Sequence, residues 1–218
     1  RDFRRFWFGE SVSLFGDQIT LIALPLAGVL ALHASAAEMG YLTAAEIAPA
    51  LVFSLHAGAW LDRYGHRRET MIATVVGRAA LLATIPAAYW LGILTLAQLY
   101  IVGFLIGTLS VFFFVAYTTL FVSLVPRERY LEANSLLNGS RAFSFVGGPS
   151  IGGLLVQALS APGALIADAV SFLVSAFTLS SIKPVEPIEE AQSGHVKAGL
   201  RYLWRSPVIR ASLLATAT

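Results

Sequence analysis

Five ionisable side chains lie inside long apolar stretches of the sequence, where a charged group is expensive unless it has a partner or a function. They are Asp17, Glu46, Arg78, Arg141 and Asp168. In such surroundings a carboxylate can exchange a proton, pair with an arginine or contact a cationic molecule. These five positions are therefore the first candidates for chemistry.

Asp17 belongs to a polar stripe, because Glu10, Ser13, Asp17 and Thr20 recur every three to four residues and so share one helix face. Arg78 and Arg141 lie at comparable depths in their own apolar stretches, so Asp17 can pair with either arginine. Two interpretations stay open. The pair is a structural salt bridge between helices, or protonation of Asp17 releases an arginine and couples proton entry to a movement of the helices.

Other polar and aromatic residues are candidates for lining a cavity. Glu46 either contacts a cationic substrate or reaches the outer membrane interface, and the second interpretation is preferred. Phe114 and Tyr117 belong to an aromatic stretch that would suit bulky amphipathic molecules, although packing or lipid contact explains each ring equally well. Asp168 is interpreted as a structural residue that faces Arg78.

The composition is that of a membrane protein. Of the 218 residues, 56% are hydrophobic and only 13% are charged, and the mean hydropathy is +0.71. A net charge of +2 gives no reason to expect nucleic-acid binding. The absence of cysteine excludes disulfides and thiolate metal sites. No metal-ligand cluster, nucleotide-binding loop or nucleophile elbow is present, so we expect neither an enzyme nor a cofactor or metal.

The apolar runs predict six membrane-spanning helices, each about 19 to 28 residues long, which is enough to cross the hydrocarbon core. Their expected ranges are about 6–32, 39–61, 70–91, 98–124, 131–159 and 164–182. The predicted fold class is therefore an all-α membrane protein.

The basic residues predict the orientation of these helices. Of the 15 Lys and Arg residues, all but Arg78 and Arg141 lie in the N-terminal lead, in alternate loops or after the sixth helix. The positive-inside rule then places both termini of the segment in the cytoplasm. We expect a six-helix bundle over residues 1–182, a cytoplasmic linker with an amphipathic helix over 183–207, and the start of a truncated seventh span over 208–218.

The loop between the second and third helices carries the densest charge cluster, with Asp62 followed by three arginines. Its pattern Gly58-x-x-x-Asp62-Arg63-x-Gly65-x-Arg67-Arg68 resembles the signature of the major facilitator superfamily. In helix five, Gly148-Pro149-Ser-Ile-Gly152-Gly153 resembles the motif of its drug-antiporter branch, with Ser144 where that motif usually has glycine. Ser13-Leu-Phe-Gly-Asp17 and Glu132-Ala-Asn-Ser135 look most like the exporters of enterobactin and macrolides.

The resemblance implies the N-terminal six-helix half of a twelve-helix transporter in the inner (plasma) membrane, working by alternating access. Its gating motif would comprise Gly58, Asp62, Arg63, Gly65, Arg67 and Arg68. Asp62 would meet the missing C-terminal half and lock the outward-facing state. Arg67 and Arg68 are interpreted as either gate residues or topology markers. Gly148, Pro149, Gly152 and Gly153 would pack helix five and allow it to bend.

The function implied by the resemblance is proton-coupled efflux of small amphipathic molecules of the drug, macrolide or siderophore type. The expected partners are the substrate, protons, the lipid bilayer and the other six-helix half. A flippase for lysophospholipids or other lipids on the same fold is one alternative. A membrane scaffold or sensor that transports nothing is another.

Overall fold

The structure, a computed structural model, describes residues 2–182 apart from the side chains of Asp62 and Tyr64. Its six α-helices are α1 (Asp2–Leu26), α2 (Ala36–Tyr64), α3 (Arg67–Trp90), α4 (Leu96–Leu124), α5 (Tyr130–Leu159) and α6 (Ala161–Ser180). All six are long and apolar enough to cross a membrane. The prediction of an all-α protein with six spans is confirmed. The predicted linker at 183–207 and the seventh span at 208–218 lie outside the described residues.

The first span begins earlier than expected and ends differently. After α1 the chain continues as a π-helical turn, Ala27–Ala31, instead of a regular helix to residue 32. Pro25 lies just before this turn, and a proline inside a helix removes one backbone donor and clashes with the preceding turn. A π-helical turn is a common adjustment inside a helix. The first span was expected to begin at about residue 6. Because α1 begins at Asp2, Asp17 lies about 22 Å from the start of the helix, farther than that expectation implies.

A capping box begins α2. The Ser35 hydroxyl accepts a hydrogen bond from the backbone N–H of Glu38 at 3.4 Å. The Glu38 carboxylate in return accepts the N–H of Ser35 at 2.7 Å. This Ser-x-x-Glu pattern satisfies two of the otherwise unpaired donors of the first turn. It explains why the helix begins at Ala36, before the apolar run at Met39 that the hydropathy pattern detects.

The turn between α2 and α3 contains only Gly65 and His66. Gly65 has φ 71° and ends α2 in the left-handed conformation that glycine adopts without a Cβ penalty. Its N–H donates to the carbonyl of Leu61 at 2.8 Å. The expected loop of about eight residues is therefore wrong, because Arg67 and Arg68 already belong to the first turn of α3.

Helix packing places α3 and α6 at the centre of the bundle. In the described part, α1 packs against α5 and α6, α3 packs against α4 and α6, and α2 packs against α4. Accordingly α3 and α6 have the largest buried share of the six spans. The buried core includes Phe6 of α1, Leu82 of α3 and Phe172 of α6. Polar groups on α1, α3 and α6 are thus brought together away from the bundle surface.

Candidate functional site

A single ion pair connects α1 and α3 near the middle of the bundle. Nη2 of Arg78 donates to Oδ1 of Asp17 at 2.5 Å, between residues 61 positions apart in the chain. The Arg78 side chain is 8% exposed and that of Asp17 is 39% exposed. The sequence left Arg78 and Arg141 as possible partners of Asp17, and in the structure the partner is Arg78. The pair joins a buried cation to a carboxylate that solvent can reach.

Aromatic rings surround the rest of the Arg78 guanidinium group. Its Cζ lies 4.0 Å from the centroid of the Phe172 ring on α6 and 5.8 Å from that of Phe113 on α4. Both distances are within the range of a cation–π contact. Nε of Arg78 is buried and has no hydrogen-bond partner among the described residues. Arg78 is thus held by α1, α4 and α6 together, and its buried Nε donor is unused.

Arg141 has a different environment. It is exposed on α5, and its Cζ lies 5.7 Å from the Tyr117 ring centroid. The Tyr117 ring is buried and stacks on Phe6 at 5.4 Å and on Phe113 at 6.2 Å. These rings link Arg141 to the aromatic surroundings of Arg78. Arg141 therefore lies at the open edge of the same cluster without pairing with Asp17.

The other cavity candidates are not brought together. Phe114, next to the buried stack on α4, is 61% exposed. Glu46 is half-buried on α2 and packs on α4, where a Cβ added to Gly103 would lie 3.2 Å from its Cγ. Its carboxylate has no hydrogen-bond partner among the described residues. Glu46 and Phe114 are thus separate from the Asp17–Arg78 pair, whereas Tyr117 belongs to its surroundings.

Two acidic residues are more deeply placed than the sequence suggested. Asp168 on α6 is 1% exposed and accepts hydrogen bonds from Thr20 at 2.5 Å and from Ser171 at 2.8 Å. Glu10 on α1 is also buried, with 7% of the residue exposed. Glu10 begins the polar stripe that contains Asp17. Its spacing of three to four residues therefore placed it on the same helix face from the sequence alone.

Arg68 of the α2–α3 motif has a structural contact that the sequence did not reveal. Its Nε donates to the carbonyl of Leu179 at 2.9 Å, and its Nη2 donates to that of Ser180 at 2.5 Å. Arg5 donates from Nη1 to the carbonyl of Ser181 at 2.7 Å. Two arginines thus bind the C-terminal carbonyls of α6, where a cation also interacts favourably with the helix dipole.

The remaining residues of that motif lie around the tight turn. Arg63 is exposed and Arg67 is buried. A Cβ added at Gly58 would meet nothing within 4 Å, so this face of α2 is open in the described bundle. The contact of Asp62 with another half of the protein stays a prediction.

The glycines of the α5 motif have unequal surroundings. A Cβ at Gly148 would collide with the side chain of Gln18 on α1, and one at Gly152 would lie 3.4 Å from Cα of Ile19. Gly153, in contrast, has nothing within 4 Å. Gly148 and Gly152 therefore permit the close approach of α5 to α1. Pro149 lies between them, inside the helix.

Comparison with known proteins gives one family match and several distant relatives. The family described as Major Facilitator Superfamily matches residues 6–218. The chain is 27% identical over 208 residues to the Multidrug efflux pump Tap of Mycolicibacterium fortuitum, covering 89% of this chain and 50% of that protein. It is 26% identical to the Uncharacterized MFS-type transporter YfiS of Bacillus subtilis, covering 94% and 50%. No solved structure matches the chain.

A third relative matches a smaller share of the chain. The Multidrug resistance protein 1 of Bacillus subtilis is 26% identical over 162 residues, covering 74% of this chain and 40% of that protein. The chain spans about half the length of Tap and of YfiS. Six candidate membrane spans, an ion pair between two of them and a family match over nearly the whole sequence agree. The chain belongs to the Major Facilitator Superfamily.

Proposed function

We propose that the full-length protein is a secondary active transporter that exports small amphipathic molecules by alternating access, driven by protons. The observation that carries the proposal is the Asp17–Arg78 ion pair, which joins two helices and has one solvent-accessible acidic partner. The names of the relatives support efflux, because Tap is called a multidrug efflux pump. The substrates would be of the drug, macrolide or siderophore type.

Proton coupling would work through the charge of Asp17. The ionised carboxylate holds Arg78 by a charge-assisted hydrogen bond, which is about twice as strong as a neutral one. A proton arriving from the solvent-accessible side neutralises Asp17 and weakens this bond. Arg78 belongs to α3 and Asp17 to α1, so the loss of the bond lets the two helices change their relative position. Arg141, at the edge of the same cluster, would guide anionic or polar groups toward it.

The rest of the transport cycle requires the other half of the protein. We propose that the segment is the N-terminal half, lies in the inner (plasma) membrane and has both termini in the cytoplasm. Asp62 would contact the C-terminal half and form the gate together with Gly58, Arg63, Gly65 and Arg67. Tyr117, Phe114 and Glu46 would face the substrate in the assembled cavity. Arg68 would serve the gate indirectly, by fixing the end of α6 to the motif.

The test uses the full-length protein in lipid vesicles that contain a trapped pH indicator. Addition of ethidium, a cationic amphipathic substrate, should release protons from the wild-type protein, which the indicator reports. In a second measurement, an imposed pH gradient should drive ethidium transport. Asp17→Asn should abolish gradient-driven transport while membrane insertion is retained. The control is Glu128→Gln, which neutralises an exposed acid in the short turn before α5.

The outcomes separate the candidate functions. Gradient-driven transport by Asp17→Asn at the wild-type rate would overturn the role of the pair. Movement of a fluorescent lysophospholipid between leaflets without ethidium transport would favour the flippase. No transport of ethidium, a macrolide or the lysophospholipid, and no response to the gradient, would favour the scaffold or sensor.

A further inference from the structure

A second carboxylate, that of Asp168, packs against the part of α1 that carries Asp17. Asp168 is held against α1 by the Thr20 hydroxyl, and a Cβ added at Gly16 would collide with its Oδ1. Gly16 precedes Asp17 and Thr20 follows it by three residues, so α1 contacts Asp168 on both sides of Asp17. The two carboxylates therefore belong to one cluster, although they are on different helices.

Arg78 contacts the same helix, α6, that carries Asp168. Its guanidinium group contacts the ring of Phe172, which is one helical turn after Asp168 on the same face of α6. The Nε donor of Arg78 is buried and without a partner in the described part of the protein. A carboxylate offers about four acceptor sites. Asp168 uses two of them, one on each oxygen, to accept hydrogen bonds from the Thr20 and Ser171 hydroxyls. Both groups thus have unused hydrogen-bonding capacity.

The balance of charge favours a shared proton. Two carboxylates and one guanidinium, buried or half-buried between helices, carry one surplus negative charge, and an uncompensated charge in this environment is costly. One added proton makes the cluster neutral. Asp17 is the member that solvent reaches, so the proton enters there.

We propose that Asp168 is the second acceptor for Arg78 and a positioning residue of the proton-coupling cluster. When a proton binds an oxygen of Asp17, the bond from Nη2 weakens and the guanidinium turns toward the oxygens of Asp168. The cation thereby stays compensated without leaving the bundle. When the proton leaves Asp17, Arg78 returns to it. This inference rests on the proposed function, because it assigns the alternate state of the same pair.

The other titratable groups around the cluster come from the neighbouring helices. They are Glu10 on α1, Arg141 on α5 and Tyr117 on α4. The π-helical turn that contacts α6 contains none. All of these groups remain unchanged in the variants below, so a shift in pH dependence reports on Asp168 and its hydrogen bonds.

The test measures the pH dependence of ethidium transport by the full-length protein in vesicles. Asp168→Asn removes one negative charge beside Asp17 and the alternative acceptor for Arg78. Both effects make protonation of the cluster harder, so the midpoint of the pH profile should move about one unit toward acid, a tenfold change in proton concentration. At a pH well above the wild-type midpoint, where Asp17 is ionised in both proteins, ethidium binding should stay within about twofold of wild type, since Asp168 is fully buried.

A second variant keeps the proposal testable if Asp168→Asn fails to fold. Thr20→Val removes a hydroxyl donor of Asp168 and leaves its charge, which makes protonation of the cluster easier. The midpoint should then move toward alkaline pH, opposite to the first variant. Ser175→Ala, at a buried serine two turns along α6 without a hydrogen bond to Asp168, is the control and should keep the wild-type midpoint.

The outcomes distinguish this inference from the proposed function. Opposite shifts for Asp168→Asn and Thr20→Val support the second acceptor. Wild-type midpoints in both variants, while Asp17→Asn abolishes proton-driven transport, would overturn the role of Asp168 and leave the proposed function intact. If the midpoint moves in the same direction in Asp168→Asn, Thr20→Val and the control Ser175→Ala, then Asp168 is a purely structural residue. Proton-driven transport by Asp17→Asn would overturn both.

Discussion

Neutralising Asp17 should destabilise the protein more than removing the whole ion pair. In Asp17→Asn, the Arg78 guanidinium keeps its charge inside the bundle, with 8% of the side chain exposed and no carboxylate at 2.5 Å. In the double variant Asp17→Asn/Arg78→Met, an unbranched apolar side chain replaces the cation against Phe172, so no cation is left without the Asp17 carboxylate. The comparison isolates the cost to Arg78 of losing the Asp17 carboxylate, beyond what Asp168 compensates.

The magnitude follows from the exposure of the two partners. Removing one partner of a buried ion pair costs about 3–5 kcal/mol, and a hydrogen bond to a charged group contributes about 1.5–3 kcal/mol. Asp17 is 39% exposed, so water screens part of the loss and we expect about 2–3 kcal/mol for Asp17→Asn. The double variant loses a cation–π contact of about 1 kcal/mol and should be only about that much less stable than wild type.

The assay is equilibrium unfolding of the full-length protein in mixed detergent micelles, followed by intrinsic tryptophan fluorescence and far-UV circular dichroism. The two single variants and the double variant form a double-mutant cycle, which measures the coupling energy directly. Arg127→Gln, at an exposed arginine in the turn before α5, is the control and should change stability by less than about 0.5 kcal/mol. A double variant as unstable as the sum of the two single variants would refute the reasoning.

Two further substitutions test packing and capping with the same assay. Arg68→Gln removes two hydrogen bonds to the last carbonyls of α6 and should destabilise the protein by about 1–2 kcal/mol, whereas Arg127→Gln should not. Gly148→Ala should destabilise by about 1–3 kcal/mol because its Cβ meets Gln18, whereas Gly153→Ala, in open space, should be neutral or stabilising by up to about 1 kcal/mol. Equal effects of the two alanines would contradict the assigned α1–α5 contact.

Much of the fold could be predicted because the relevant signals are local. Runs of apolar residues gave six helices whose ends agree with the structure to within a few residues. The differences around α2 have identifiable causes, since Ser35 and Glu38 begin α2 by a capping box, and Gly65 shortens the next turn to two residues. Hydropathy does not register either signal, although both are visible in the sequence as capping residues.

The candidate site was predicted only in part. Asp17 and Arg78 were identified as intramembrane charges, but Arg141 was an equal candidate for the partner of Asp17. The decision depends on how α1, α3 and α6 pack, because α6 supplies the Phe172 ring that holds the guanidinium group beside Asp17. The cap that Arg68 forms on α6 was missed for the same reason, since its acceptors are 111 and 112 residues away in the chain.

The sequence by itself determined that this is an all-α membrane protein with six spans, where the charged residues lie along each span, and which residues resemble the motifs of the superfamily. These properties depend on composition and on spacing along one helix, both of which are read directly from the chain. Only the tertiary structure decided that Arg78 pairs with Asp17, that Asp168 accepts a hydrogen bond from Thr20 of α1, and that Arg68 caps the C-terminus of α6. Contacts between helices depend on which faces meet, and the spacing of residues within one helix does not specify its neighbours.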